Sequence, residues 1–193
     1  MANANTKKFS FVNIVFFVIF GVLTGILWAY LCPIPLIPGV HFRTFAFIIP
    51  VIGYLFGPVT GFFSGYIGTI VWALLSGSFI ALHSPLTDGI TVGLSAALPA
   101  LVHLKGGKVD LMSLLEPGKK GKFIGMSLLW SVLFGVLMIL TTSLSLSYFT
   151  GMKYTYCILW IGIADVVPIA LTPFVVMWLA PLMKNVRTLV PYV

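Results

Sequence analysis

Six apolar stretches divided by short polar joints set the strongest limit on what this chain can fold into. The first, FVNIVFFVIFGVLTGILWAY, holds no charge over twenty residues, and about 20 apolar residues are what a helix needs to cross a bilayer core. With that ruler the spans fall at about 9–32, 44–56, 59–80, 87–104, 123–147 and 154–183. The second and fourth stand near the lower length limit. Of the 193 residues 60% are hydrophobic and only 8% charged, against roughly 25% charged in soluble domains. The expected class is an all-α integral membrane protein, a compact bundle of six transmembrane helices forming one domain over 1–193. The first stretch is too long for a signal-peptide core and has no convincing small-residue cleavage site, so it is expected to stay as a helix.

Charge orients the spans. With the N-terminus in the cytoplasm, Lys7, Lys8, Lys105, Lys108, Lys119, Lys120, Lys122, Lys184 and Arg187 lie inside, and Arg43 and Lys153 outside. That asymmetry is the positive-inside pattern and predicts both termini in the cytoplasm. The net charge of +7 therefore belongs to lipid-facing lysines. A nucleic-acid footprint would need a basic face with base-stacking aromatics, so no nucleic-acid partner is expected. The longest polar segment, the cytoplasmic loop 105–122, contains Val109, Leu111, Met112, Leu114 and Leu115. These could line a short interfacial helix, or the segment could be a solvated connector.

Motifs for chemistry are sparse. Gly106-Gly107-Lys108 runs into Val109 and lacks both the spacing and the hydroxyl of a phosphate loop. Gly93-Leu94-Ser95-Ala96 carries only part of an intramembrane serine-protease pattern, and His103 belongs to the membrane face opposite His41 and His83. His41, His83 and Asp88 share the outer side but come from separate loops, whereas metal sites prefer clustered ligands. No metal and no catalytic residues are assigned. Cys32 and Cys157 fit no disulfide scaffold or metal site; two unpaired thiols and one disulfide both remain open.

Two features rise above this background. Small residues recur at helical spacing, Gly21, Gly25 and Ala29 in the first span and Gly57, Gly61 and Gly65 in the third, which lets helices approach to backbone distance. They serve either packing within the bundle or docking of another membrane subunit through Gly21, Gly25, Ala29, Gly61 and Gly65. Polar groups, in turn, gather in the outer half. Asp88, Thr91 and Ser95 share one face of the fourth span, Tyr154 and Asp165 one face of the sixth, and Thr141, Thr142, Ser143, Ser145 and Ser147 end the fifth. With His41, Arg43, His83 and Trp160 these outline a cavity open to the outside.

Asp165 is the most telling of them. It lies eight residues past Cys157, or about 12 Å along a helix, where a charge costs at least about 2.5–3.5 kcal/mol. It must therefore face protein or water. Pro168 and Pro173 each remove a backbone donor and crowd the preceding turn, so a kink beside the carboxylate is expected. Asp165 either holds helices together or accepts a hydrogen bond from a ligand.

The stretch IPVIGYLFGPVTGFFSGYIGTIVWALLSG, Ile49 to Gly77, resembles the second-to-third helix signature of the S components, the membrane substrate-binding subunits of energy-coupling factor (ECF) transporters. The proline-rich first outer loop and the final LAPLMKN, Leu179 to Asn185, add to the likeness. The resemblance implies a plasma-membrane subunit that captures a vitamin or related micronutrient from outside. It would then dock onto a transmembrane coupling subunit driven by two cytoplasmic ATPases, which use the ATP; this chain would hold no cofactor. That family docks through an Ala-x-x-x-Ala pattern in its first helix, where this sequence has Gly21, Gly25 and Ala29. Two other readings stay open: an assembly subunit without ligand, and a membrane enzyme using Asp165 and Asp88. A cationic or amide-bearing ring would suit Asp165 and the tryptophans, an acid would suit Arg43 and Lys153, and a tetrapyrrole or corrin is a third substrate class.

Overall fold

The structure, a computed structural model, describes residues 11–31, 34–37, 40–104, 109, 111, 116, 118–183 and 186. Helix α1 (Phe11–Tyr30) leads into a hairpin of two short strands, β1 (Ile34–Ile37) and β2 (Val40–Phe42). Then come α2 (Ile48–Phe56), α3 (Pro58–Leu75), a π-helical turn (His83–Asp88), α4 (Gly89–Val102), α5 (Lys119–Thr150), α6 (Tyr154–Ala170) and α7 (Thr172–Leu179). Among the described residues five stretches, 11–30, 58–75, 83–102, 119–150 and 154–179, are long and apolar enough to cross a membrane. Their outer faces expose Leu23, Leu129, Leu144, Val167 and Trp178 among many others, far more apolar surface than a soluble monomer shows.

The expected second span is corrected. Only nine residues of it are helical, about 14 Å at 1.5 Å per residue, half of what a bilayer core requires. All but its first and last residues are buried. The reason for so short a helix lies in the direction of its neighbours. Gly21 faces Ile67 and Ser64, while Gly25 faces Val71 and Gly68, so α1 and α3 run parallel and the chain must return between them. Helix α2 makes that return antiparallel to α3, with Gly53 against Gly61 and Ile49 against Gly65. Gly57, at φ 113°, turns the chain between the two in a conformation that side chains resist.

The small-residue stripes take part in this packing, the first of the two roles the sequence allows them. A Cβ on Gly21 would stand 2.6 Å from Ile67, and one on Gly25 would stand 2.7 Å from Val71. Gly61 lies against the Gly53 backbone and Gly65 against Gly93, while Ala29 is buried in the core cluster shared with Trp28 and Trp72. Where lipid is as apolar as the side chains, close van der Waals fit is what holds helices together, and these positions supply it.

Two further expectations change. Among the described residues the bundle is all-α apart from the hairpin, whose pairing runs Ile34 with Phe42, Pro35 with His41 and Ile37 with Val40. The interfacial helix is only partly within view: Met112, Leu114 and Leu115 lie outside the described residues. Val109 and Leu111, however, are buried in a second cluster with Tyr54, Phe123 and Val176, facing protein rather than lipid. In the last span the chain breaks where proline chemistry demands. Pro168 ends α6 within one turn, Leu171 donates its N–H back to the Pro168 carbonyl, and Pro173 occupies the first turn of α7.

Candidate functional site

The hairpin end of the bundle carries a cavity lined by Val40, His41, Arg43, His83, Asp88, Met138, Thr142, Leu146, Ile161 and Asp165. Its volume is about 20 Å³, room for roughly one water molecule. Strand β2 packs on α6 and delivers Val40, His41 and then Arg43 to the cavity from the loop side. Helices α5 and α6 form the opposite wall.

Arg43 is the centre of the site. It is 8% exposed, and its Nη2 donates to Asp88 Oδ2 at 3.2 Å. Its guanidinium carbon sits 4.0 Å from the centroid of the Trp72 ring and 5.2 Å from that of Trp28, both within cation–π range. Burial opposes its charge, but the carboxylates of Asp88 and Asp165 outweigh that cost and raise its pKa above the ordinary arginine value. His41 packs its ring edge-on to Trp72 with centroids 5.6 Å apart. Burial, with the nearby Arg43 charge, lowers its pKa below the usual histidine value, so the ring is neutral at pH 7.

The π-helical turn explains how two residues five apart reach the same cavity. Gly89 donates its N–H to Ser84 O, five residues back, and this wider winding sets His83 and Asp88, one at each end of the turn, toward the same wall. Such turns are rare and recur at functional sites. His83 shares a 2.9 Å hydrogen bond between its Nδ1 and Ser145 Oγ. The histidine–aspartate group expected to be split among separate loops is thus assembled here. No three His, Cys, Asp or Glu side chains among the described residues converge as a metal-ligand set.

Asp165 lies on the buried face of α6, is 5% exposed and lines the cavity. Among the described residues it makes no hydrogen bond, in contrast to Asp88.

Five of the nine sequence candidates therefore meet at one place: His41, Arg43, His83, Asp88 and Asp165. The other four do not line it. Thr91 stands one layer behind: its hydroxyl donates to Thr87 O at 2.8 Å, so Thr142 Oγ1, 2.9 Å away, donates to it in turn. Ser95 turns its hydroxyl to Val92 O at 2.7 Å within its own helix. Tyr154 donates to Leu140 O at 3.3 Å on the exposed side of the bundle. Trp160 packs against the core with its indole edge on Tyr156. Trp28 and Trp72 were not singled out from the sequence, yet a signal existed: Gly21, Gly25, Trp28 and Gly65, Gly68, Trp72 each place an indole on the small-residue face of their helix.

His103 bonds through Nδ1 to Pro99 O at 2.9 Å and packs against the Tyr54 and Phe123 rings, which also meet each other, at the end of α4 remote from the hairpin. Cys157 is a buried free thiol, and Cys32 lies outside the described residues. Comparison with protein-family models, with curated proteins and with solved structures returns no match for this chain.

Proposed function

We propose that this chain is the substrate-capture subunit of an ATP-driven importer, an S component of the ECF type, held in the plasma membrane with both termini in the cytoplasm. It takes a vitamin-like micronutrient at the hairpin end and delivers it by docking to a transmembrane coupling subunit powered by two ATPases. One observation carries this reading: an apolar bundle buries Arg43, Asp88 and Asp165 around a single cavity beneath a two-stranded hairpin. Buried charge in a membrane protein is expensive and marks ligand or ion paths. The exposed Lys119, Lys120 and Lys122 at the far end of α5 support this orientation, because basic residues favour the cytoplasmic side of a membrane.

The cavity's size sets a condition on this reading. With room for one water, the described conformation is closed, and capture requires the hairpin to lift Arg43 away from Asp88. Docking uses a surface other than the glycine stripes, which are filled from within.

The same small cavity favours a second reading, an assembly subunit without ligand in which Arg43 and Asp88 only pin the hairpin to the bundle. Native mass spectrometry of the protein purified from its source decides between them. A capture subunit carries a stoichiometric small molecule or gains one on titration with micronutrient extracts, whereas an assembly subunit carries none at any concentration.

A further inference from the structure

We infer that the cavity takes an organic cation, an amidinium- or ammonium-bearing molecule, with Asp165 as its counter-charge and the seat of Arg43 between Trp28 and Trp72 as its destination. The inference rests on the capture reading and names its substrate class.

Three formal charges face the cavity, the Arg43 cation and the carboxylates of Asp88 and Asp165. Arg43 is committed to Asp88 by its 3.2 Å contact, which leaves Asp165 buried and, among the described residues, without a hydrogen bond. A buried carboxylate without a donor is costly, and a ligand cation would supply both charge and donors. An acidic ligand would instead bring a further negative charge to a site already holding an excess. Lys153, the other basic residue expected on this side, is exposed and does not line the cavity, so it cannot reverse that balance.

The surroundings select an organic cation over a hard metal ion. Calcium takes six to eight oxygen ligands and magnesium an octahedral set; this cavity offers oxygens from two carboxylates and the Thr142 hydroxyl, beside the Arg43 cation and the rings of His41 and His83, with Val40, Met138, Leu146 and Ile161 completing its lining. The seat beside it is built of two indole faces, which attract delocalised or alkylated cations. The chain already shows that a guanidinium fits there, because Arg43 fills the seat at 4.0 and 5.2 Å from the ring centroids. Arg43 directly follows β2, so a ligand that displaces it also frees the hairpin. The chain's own arginine thus holds the site closed as a tethered competitor.

The test uses the full-length protein in detergent and three probes with one ring: benzamidinium (cation), benzamide (neutral) and benzoate (anion). Thermal unfolding and tryptophan fluorescence report binding. Benzamidinium should raise the unfolding temperature saturably, and the other two should not. Asp165→Asn should weaken the cation roughly ten- to hundredfold, with Asp165→Glu retaining most of the affinity. Arg43→Gln should tighten the cation roughly tenfold by removing the competitor; an acid-binding site predicts the opposite sign. If Asp165→Asn does not fold, the wild-type probe comparison and Arg43→Gln still decide. Stabilisation by benzoate, or loss of cation binding in Arg43→Gln, overturns the charge assignment and leaves the capture reading standing. So does a co-purifying molecule that is neutral or acidic; a co-purifying cation supports the inference. Silence of all three probes overturns the inference, and silence together with no co-purifying molecule removes the capture reading as well.

Discussion

Arg43 and Asp88, 45 positions apart in sequence, meet at 3.2 Å with side chains only 9% and 7% exposed. The pair ties the loop after the hairpin to the π-helical turn that opens α4. The indoles of Trp28 and Trp72 flank the guanidinium, and the adjoining cavity holds roughly one water, too little to solvate the charge fully if the carboxylate is lost. Asp88→Asn should therefore cost about 3–5 kcal/mol, the usual penalty for stranding one member of a buried pair. Replacing both partners, Asp88→Asn with Arg43→Met, should recover much of that loss. Thermal or denaturant unfolding of the four proteins in one detergent measures the coupling.

The glycine stripe makes a sharper statement about stability. Since a Cβ on Gly25 would stand 2.7 Å from Val71 and 2.8 Å from the Gly68 carbonyl, Gly25→Leu should lower stability by at least about 1–3 kcal/mol or abolish folding. Gly125, where a Cβ would meet nothing within 4 Å, is the control. Gly125→Ala should be neutral or stabilise by up to about 1 kcal/mol. Intact folding of Gly25→Leu with selective loss of a membrane partner would return the stripe to a docking role.

The hairpin should respond to pH through His41. Its pKa in the folded protein lies below the ordinary value of 6.5, first through burial and then through Arg43. The unfolded chain therefore binds more protons in this window, and stability falls as pH drops below about 6.5 toward the folded value. Above that value His41 contributes no pH dependence. His41→Gln should flatten the acid limb of a stability-versus-pH curve relative to the wild type, and an unchanged difference between pH 7 and pH 5 would show that another group controls it.

Thr91 should act through Thr142. Its hydroxyl accepts from Thr142 at 2.9 Å, and only Thr142 lines the cavity. Thr91→Val should cost about 0.5–1.5 kcal/mol, as for one intramolecular hydrogen bond. Its effect on probe binding should be smaller than that of Asp165→Asn, as titration on the same preparation would show.

If the capture reading holds, the purified single chain should bind without hydrolysing nucleotide, because Gly106-Gly107-Lys108-Val109 cannot cradle phosphates. ATP turnover that follows the chain through successive purification steps would contradict it.

Much of this molecule was legible along one dimension. The long apolar runs announced membrane-crossing helices because their lengths match a bilayer. Pro168 and Pro173 announced the break between α6 and α7, because a missing donor acts locally. Asp165 was conspicuous because its cost depends on depth alone. What the sequence left undecided depended on partners distant in the chain. A stripe such as Gly21 and Gly25 reads the same whether it meets an internal helix or a separate protein; only the parallel course of α1 and α3 shows that Ile67 and Val71 fill it. Likewise Arg43 counted as one of two outer cations, yet folding turns it inward, where Asp88 neutralises it and two indoles enclose it. That burial commits Arg43 to Asp88 and leaves Asp165, among the described residues, without a hydrogen bond. Local patterns carry length, depth and backbone capacity, whereas the sign of the site is a sum over residues that only packing brings together.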